Sequence, residues 1–367
     1  MKLSLTRESL HSGLGAVAAT IPTKTTLPVL SNLLMQAKDG KLTIRGTDLD
    51  MTVSVTVEAE IEKEGAVTVP ARKLAEITRE LPEAPVHIDV DGVQIQVTCG
   101  TSRFKLFGIP EDEFPALPEF DFDNSWKIQA SVLQNLISHT AFAASSEESR
   151  PILNGVLWQI RAGSVAMVAT NGHRLAKMIV DIDGANPPDA DLIVPPKALA
   201  QVQKLFDKDS ELEVAASKNH LAFRSPGRSV YTRLIEGPYP NYEQVIPKDN
   251  DKQATANKDN LAAAIRRMAV VASDQTHRVR MAFSDGNVSF RVQTPDLGEA
   301  EDEMPVDYAG ETLEIGFNAN YLLEVLRFMP DDDVVIGFRA PERAATFKPT
   351  SGDLDYLCLV MPLRLLD

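Results

Sequence analysis

Two hydrophobic periods share this chain. In "VHIDVDGVQIQVTCG" the apolar residues Val86, Ile88 and Val90 alternate with polar ones, and Val93, Ile95 and Val97 do the same beyond Asp91-Gly92. Side chains of a strand point alternately to its two faces, so this pattern predicts two half-buried strands joined by a hairpin. A helical spacing replaces it in "TRESLHSGLGAVAAT" near the N-terminus. Further helices are expected after Pro70 and Pro195, because proline's fixed φ and missing N–H suit the first helical position.

The pattern occurs three times. At a constant offset of 123, Pro28 meets Pro151, Leu30 meets Leu153, Leu34 meets Leu157, Gln36 meets Gln159, Gly40 meets Gly163 and Thr47 meets Thr170. The same offset carries Gly163 onto Gly286, between the alternating runs Val279, Met281, Phe283 and Val288, Phe290, Val292. "VTVPARKLAEITREL" from Val67 matches "LIVPPKALAQVQKLF" from Leu192 and, more weakly, "LEIGFNANYLLEVLRFM" from Leu313. A third block closes each repeat, from Ser102, Ser229 and Leu354. A repeat of about 120 residues is domain-sized, far longer than the roughly 20–50 residues of a solenoid unit. Polar joints near 122–126 and 247–252 divide the chain into 1–123, 124–248 and 249–367. Each repeat should hold two helices on mainly antiparallel sheet, an α+β architecture.

Composition narrows the function. The 367 residues are 44% hydrophobic and 24% charged, ordinary for a soluble globular protein. No apolar run approaches the roughly 20 residues that span a bilayer, and the N-terminus lacks a signal-peptide pattern, so a cytoplasmic protein with no membrane role is expected. Cys99 and Cys358 stand far apart in strand-like runs and read as buried thiols. The six histidines show no metal-ligand spacing, and neither a phosphate-binding glycine loop nor a G-x-S-x-G elbow is present. No cofactor or metal is expected.

The net charge of −15 argues against a surface that grips nucleic acid everywhere. The six expected helices nevertheless carry ten Lys and Arg against five Asp and Glu, a net +5. These cations form either an ordinary solvated face or one shared basic surface, which would meet a polyanion through its phosphates without reading bases.

Repeats, charge split and motifs converge on one family. "TLPVLSNLL" (26–34), "TVPARKL" (68–74), "RPILNGV" (150–156), "ATNGHRLA" (169–176), "PYPNYEQVIP" (238–247) and "VMPLRL" (360–365) stand in the order and spacing of the bacterial DNA polymerase III beta subunits, the replicative sliding clamps. The sequence resembles that family over essentially its whole length. The resemblance implies the DNA-clamp fold and a head-to-tail homodimer, a six-domain ring around duplex DNA with helices lining the hole. The partners it implies are double-stranded DNA, the polymerase III alpha subunit, the clamp loader, other polymerases and repair proteins, the proteins docking by linear peptide motifs. Lys24 and Arg150 match family positions near the channel, and Arg72, Lys73, Lys197, Arg266 and Arg267 are further channel candidates.

His173, beside Arg174 in "ATNGHRLA", has three readings: a general base acting on a phosphodiester, a structural residue in a turn, or part of a docking pocket. The resemblance implies the last. By motif, that pocket comprises Leu153, Thr170, Gly172, His173, Arg174, Leu175, Pro240, Val245, Leu359, Met361, Pro362, Leu363 and Arg364. Apolar side chains there would bury a peptide's anchors, while adaptable Met suits several partners. No catalytic residue is assigned. Asn171 stands where the family leads one to expect Asp, Gln244 where some members carry a base, and Leu366-Asp367 extend the usual tail. The resemblance also implies a subunit interface, with Lys73, Ile77, Arg103, Phe104 and Leu106 on one side and Val270, Val271, Glu299, Glu301, Asp302 and Glu303 on the other. The acidic run is alternatively a solvated loop.

Overall fold

The computed structural model describes the chain apart from Pro118, Glu119, Asp121, Asp123, Asn124, Glu148, residues 183–186, Asp296, Leu366 and Asp367. The tail Leu366-Asp367 and the expected boundary at 123/124 therefore lie outside the described residues. The chain packs as two compact units, one of 1–134 with 197–234 and the other of 135–196 with 235–367.

The first unit contains two antiparallel sheets. One has five strands in the order Glu60–Lys63, Lys2–Leu5, Val86–Asp91, Gln94–Cys99 and Ser102–Phe107. The other has eight, ordered Trp126–Gln129, Glu211–Ala216, His220–Ser225, Arg228–Arg233, Met51–Glu58, Lys41–Thr47, Asn32–Lys38 and Gly65–Pro70. The join between strands of the first and second repeats is the ladder that sets Val230 opposite Val53, both fully buried. The second unit repeats this device. Its eight-stranded sheet runs Ala190–Val194, Val156–Arg161, Ser164–Thr170, Arg174–Asp181, Asp355–Val360, Ala345–Pro349, Asp333–Phe338 and Lys252–Asn257. Ala176 faces Cys358 at the join between repeats. Its four-stranded sheet is ordered Gly298–Pro305, Asn287–Thr294, Arg278–Ser284 and Leu313–Asn318. The compact units cut across the sequence repeats because strands of successive repeats share a ladder.

Six helices were expected and six α-helices are described: α1 (Arg7–Val17), α2 (Ala71–Glu80), α3 (Ala130–Thr140), α4 (Pro196–Leu205), α5 (Lys258–Ala269) and α6 (Ala319–Arg327). They carry the ten cations and five acids counted from the sequence. The first helical positions differ by one residue from expectation. Pro70 is the cap of α2, and α4 begins at Pro196, so Pro195 precedes it. Pro70 is the last residue of the strand Gly65–Pro70, and Pro195 follows directly on the strand Ala190–Val194. Val93 also moves, from the expected strand into the two-residue turn after Asp91.

The repeat is visible atom by atom in its hairpins. Gly40, Gly163 and Gly286 adopt φ of 73°, 79° and 72°, the left-handed conformation that a two-residue turn demands and that glycine takes without a Cβ clash. Strand residues on the covered faces are closed off from water: Leu33, Met35, Leu42 and Ile44 in the first repeat, Val156, Trp158, Val165 and Met167 in the second, and Val279, Met281, Val288 and Phe290 in the third are all at most 1% exposed. At about 1.5–3 kcal/mol per fully buried side chain, such faces supply the main drive for folding. Both cysteines are buried and free, as the sequence suggested, and burial pushes the Cys358 thiol up to about 12.

Candidate functional site

The segment Thr170–Arg174 forms a tight turn joining the strands Ser164–Thr170 and Arg174–Asp181. Its shape follows from its own side chains. Asn171 Oδ1 accepts the N–H groups of His173 and Arg174, each at 3.0 Å. Thr170 Oγ1 accepts from the Gly172 N–H at 3.0 Å and donates to the Arg174 carbonyl at 2.7 Å. Such side-chain substitutes for a backbone ladder are why Asn and Thr favour turns. Gly172 sits at φ 88°, and a Cβ there would lie 3.3 Å from Arg150 Nη1. Arg150, expected in a channel, thus lies beside this turn and contacts Glu147 at 3.8 Å.

The C-terminal tail docks on the same turn. The Met361 N–H donates to the His173 carbonyl, and the Leu363 N–H to that of Gly316, both at 2.8 Å. Arg278 donates to the Arg364 carbonyl at 3.0 Å, which holds the end of the tail against the four-stranded sheet. Beneath lies an apolar floor of Leu157, Val168, Leu175, Ile193, Tyr242, Ala344 and Leu359, with Ile152, Ile235, Tyr239 and Ile246 packed against it. Above it Val245 and Met361 are 52% and 37% exposed, large apolar side chains left facing solvent. Both also line a groove of about 660 Å³ that continues past Asp249 and Arg343.

The expected pocket residues therefore come together in one compact unit, but at different depths. Leu175 and Leu359 are floor, at 1% and 2% exposed. Leu153, Thr170, Pro362 and Leu363 are half-buried, while Gly172, His173, Pro240 and Arg364 are exposed with Val245 and Met361.

Arg174 is held from several sides. It is 8% exposed, and its Nη2 donates to the Phe142 carbonyl at 2.7 Å and lies 3.0 Å from Glu324 Oε2. Its guanidinium sits 4.7 Å from the centre of the Tyr321 ring, on which the His173 ring also stacks at 6.1 Å and 11°. Burial raises the Glu324 carboxyl above its ordinary value, and Arg174 partly opposes that shift. Among the described residues neither the Arg174 Nε nor the Glu324 Oε2 has an aligned hydrogen-bond partner, so the contact between the two residues is one of charge. Tyr321 and Glu324 were not read from the sequence. They stand three apart on α6, and no local spacing links them to a turn 150 residues away.

The expected channel cations fall into several settings. Lys24 is exposed in a loop that Arg72 of α2 ties down by donating to the Pro22 carbonyl at 3.2 Å. Lys73 pairs with Glu76 at 2.8 Å, Lys197 with Asp48, and Arg267 with Asp302 at 2.7 Å. Arg266 is exposed at the end of α5. The Arg267 contact joins a channel candidate to an interface candidate.

The interface candidates fall on two edge strands and at two helices: Arg103, Phe104, Leu106 and the acidic run on strands, Lys73 and Ile77 on α2, Val270 and Val271 just after α5. Ser102–Phe107 ends the five-stranded sheet and Gly298–Pro305 ends the four-stranded one, so among the described residues each has one side of its backbone without a strand partner. Phe104 and Leu106 are half-buried, as is Ile77, and Arg103 is exposed. Phe107, which the sequence reading passed over, is 63% exposed, and Val270 is 77% exposed with Val271 half-buried beside it. Glu299 accepts from Gln293, Glu301 pairs with Arg291 at 2.6 Å, and Glu303 accepts from Asn287. An edge with apolar side chains is a template for another strand unless something covers it.

Comparison with known proteins gives one consistent result. Family models of the DNA polymerase III beta subunit match in series: the N-terminal domain over residues 1–118, the central domain over 127–241 and the C-terminal domain over 243–364. The beta sliding clamp of Pseudomonas aeruginosa is 33% identical over 368 residues, covering all of both chains. That of Escherichia coli K12 is 34% identical over 337 residues, covering 91% of this chain and 92% of its own. Among solved structures, the Pseudomonas aeruginosa subunit superposes with a TM-score of 0.95 over the whole of both chains, at 33% identity. A second structure of that clamp, bound to griselimycin, gives 0.95, and the clamp of Bacillus subtilis gives 0.95 at 26% identity, again with full coverage of both.

Proposed function

For this chain, which belongs to the DNA polymerase III beta-subunit family of sliding clamps, we propose the following working assembly. Two copies close head to tail into a ring around duplex DNA, each contributing domains 1–123, 124–248 and 249–367. The ring tethers the polymerase III alpha subunit and, in turn, the clamp loader, other polymerases and repair proteins. Each docks a short peptide in the pocket built on Thr170–Arg174. The protein performs no chemistry of its own and works in the cytoplasm. Among the described residues no helix is long and apolar enough to cross a membrane.

One observation carries the docking reading. Exposed Val245 and Met361 stand over an apolar floor at a turn that the C-terminal tail completes. A concave apolar surface with a few convergent polar groups is what a peptide anchor requires. The alternative, His173 as a general base, fares worse on geometry. Its ring is stacked on Tyr321, and among the described residues no carboxylate orients it. The exposed cations Lys24 and Arg266 support loose phosphate contact, which suits sliding. The edge strands Ser102–Phe107 and Gly298–Pro305 support pairing between copies.

Loading with a compatible clamp loader and ATP tests the ring. Retention on closed circular DNA, with rapid loss once the circle is linearised, is the expected result. Equal retention on both forms would refute encirclement.

A further inference from the structure

We propose that Asn171 is a specificity-determining residue of the docking pocket: its amide turns the Tyr321 hydroxyl into a hydrogen-bond donor for a carbonyl oxygen of the bound peptide. The inference rests on the docking reading above and deepens it.

The orientation of the amide follows from its neighbours. Asn171 Oδ1 accepts two backbone N–H groups at 3.0 Å, a task that an NH₂ group cannot perform. The other atom is therefore Nδ2, and it donates to Tyr321 Oη at 3.4 Å. The phenol oxygen is used as an acceptor, and its own proton remains. Among the described residues no acceptor takes that proton, and Tyr321 is only half-buried. The ring is fixed by His173 stacked on it and Arg174 over it, so the hydroxyl is held in place beside the turn on which the proposed pocket is built.

The chain contains its own comparison. One repeat earlier, Thr47–Met51 makes the same turn. Asp48 Oδ1 accepts the N–H groups of Asp50 at 3.2 Å and Met51 at 2.7 Å, and Thr47 Oγ1 accepts from the Leu49 N–H at 3.1 Å and donates to the Met51 carbonyl at 3.2 Å. Leu49 even adopts φ 80°, against 88° for Gly172. Asp thus builds this turn as well as Asn does. What changes is the second atom: Asp48 Oδ2 holds the Lys197 ammonium. A carboxylate at 171 would likewise present an acceptor where Asn171 presents a donor. The Tyr321 proton would then go to the carboxylate, in a charge-assisted bond stronger than a neutral one. The peptide's carbonyl would lose its donor.

The test is a double-mutant cycle on binding of the purified polymerase III alpha subunit, with thermal melts to confirm folding. Tyr321→Phe keeps the ring and removes only the hydroxyl. It should weaken binding about three- to tenfold, the worth of one hydrogen bond. Asn171→Asp should weaken it by a similar factor, and Tyr321→Phe should then add little, because the proton is already committed. Equal losses from Tyr321→Phe in both backgrounds, or no loss in the parent protein, would overturn the proposal. Tyr321→Phe alone decides the matter should Asn171→Asp melt early. Met361→Lys separates the two levels. If it abolishes binding while Tyr321→Phe is silent, only this inference fails; if it leaves binding intact, the alpha subunit does not use this pocket and both readings fall.

Discussion

Replacing Phe104 and Leu106 together with aspartate should convert the proposed dimer to monomers. Both side chains are half-buried in the single chain, so association has only the remaining half of each to cover. Full burial is worth about 1.5–3 kcal/mol per side chain, which leaves roughly 1 kcal/mol from each. The new carboxylates would in addition face Glu299, Glu301, Asp302 and Glu303 of the other copy, and like charges in an interface cost on the order of several kcal/mol. A total of roughly 4–6 kcal/mol corresponds to about three to four powers of ten in Kd. Sedimentation velocity over a concentration series reads this directly, with far-UV circular dichroism confirming an intact fold. The fold should hold, because the strand stays paired through Val97 opposite Phe104 and Ile95 opposite Leu106. Dimers persisting at the parent protein's midpoint would show that this edge is not the interface.

Gly172→Ala should lose about 1–2 kcal/mol from the left-handed backbone, visible as a lower urea midpoint, and should weaken alpha-subunit binding. Leu175→Ala, in the floor at 1% exposed, should cost more, about 2–5 kcal/mol by the same assay, because it opens a cavity. Glu324→Gln tests the half-buried charge. Burial raises the Glu324 carboxyl, so the folded state binds its proton more readily than the unfolded chain does. Its contribution is thus fully present below the ordinary 4.5 and is lost as pH rises through the raised value. The stability of the parent relative to Glu324→Gln should fall over that window in thermal melts, and a difference that does not change with pH would contradict the assignment.

Much of this protein was legible from residues near one another in sequence. The glycines of the three hairpins, the six helices and the 123-residue repeat rest on turn sterics and side-chain periods, which involve neighbours only. The shape of the turn at Asn171 is of the same kind, since the side-chain hydrogen bonds that close it reach no further than four residues. The motif resemblance then named, as candidates for a docking pocket, residues that the fold collects in one unit. What stayed hidden depends on partners far along the chain. Alternating apolar strands do not say which other strand they join, so the ladders that unite successive repeats, Val230 with Val53 and Ala176 with Cys358, come only from packing. The depth of Leu175 and Leu359 and the capture of Lys197 by Asp48 are likewise decided by what the fold sets beside them. Tyr321 and Glu324 are the clearest case. Nothing in the neighbourhood of either marks it as a partner of Asn171 or Arg174. Packing of α6 against the turn brings the four together, and that placement sets the charge and hydrogen-bond polarity beside the turn.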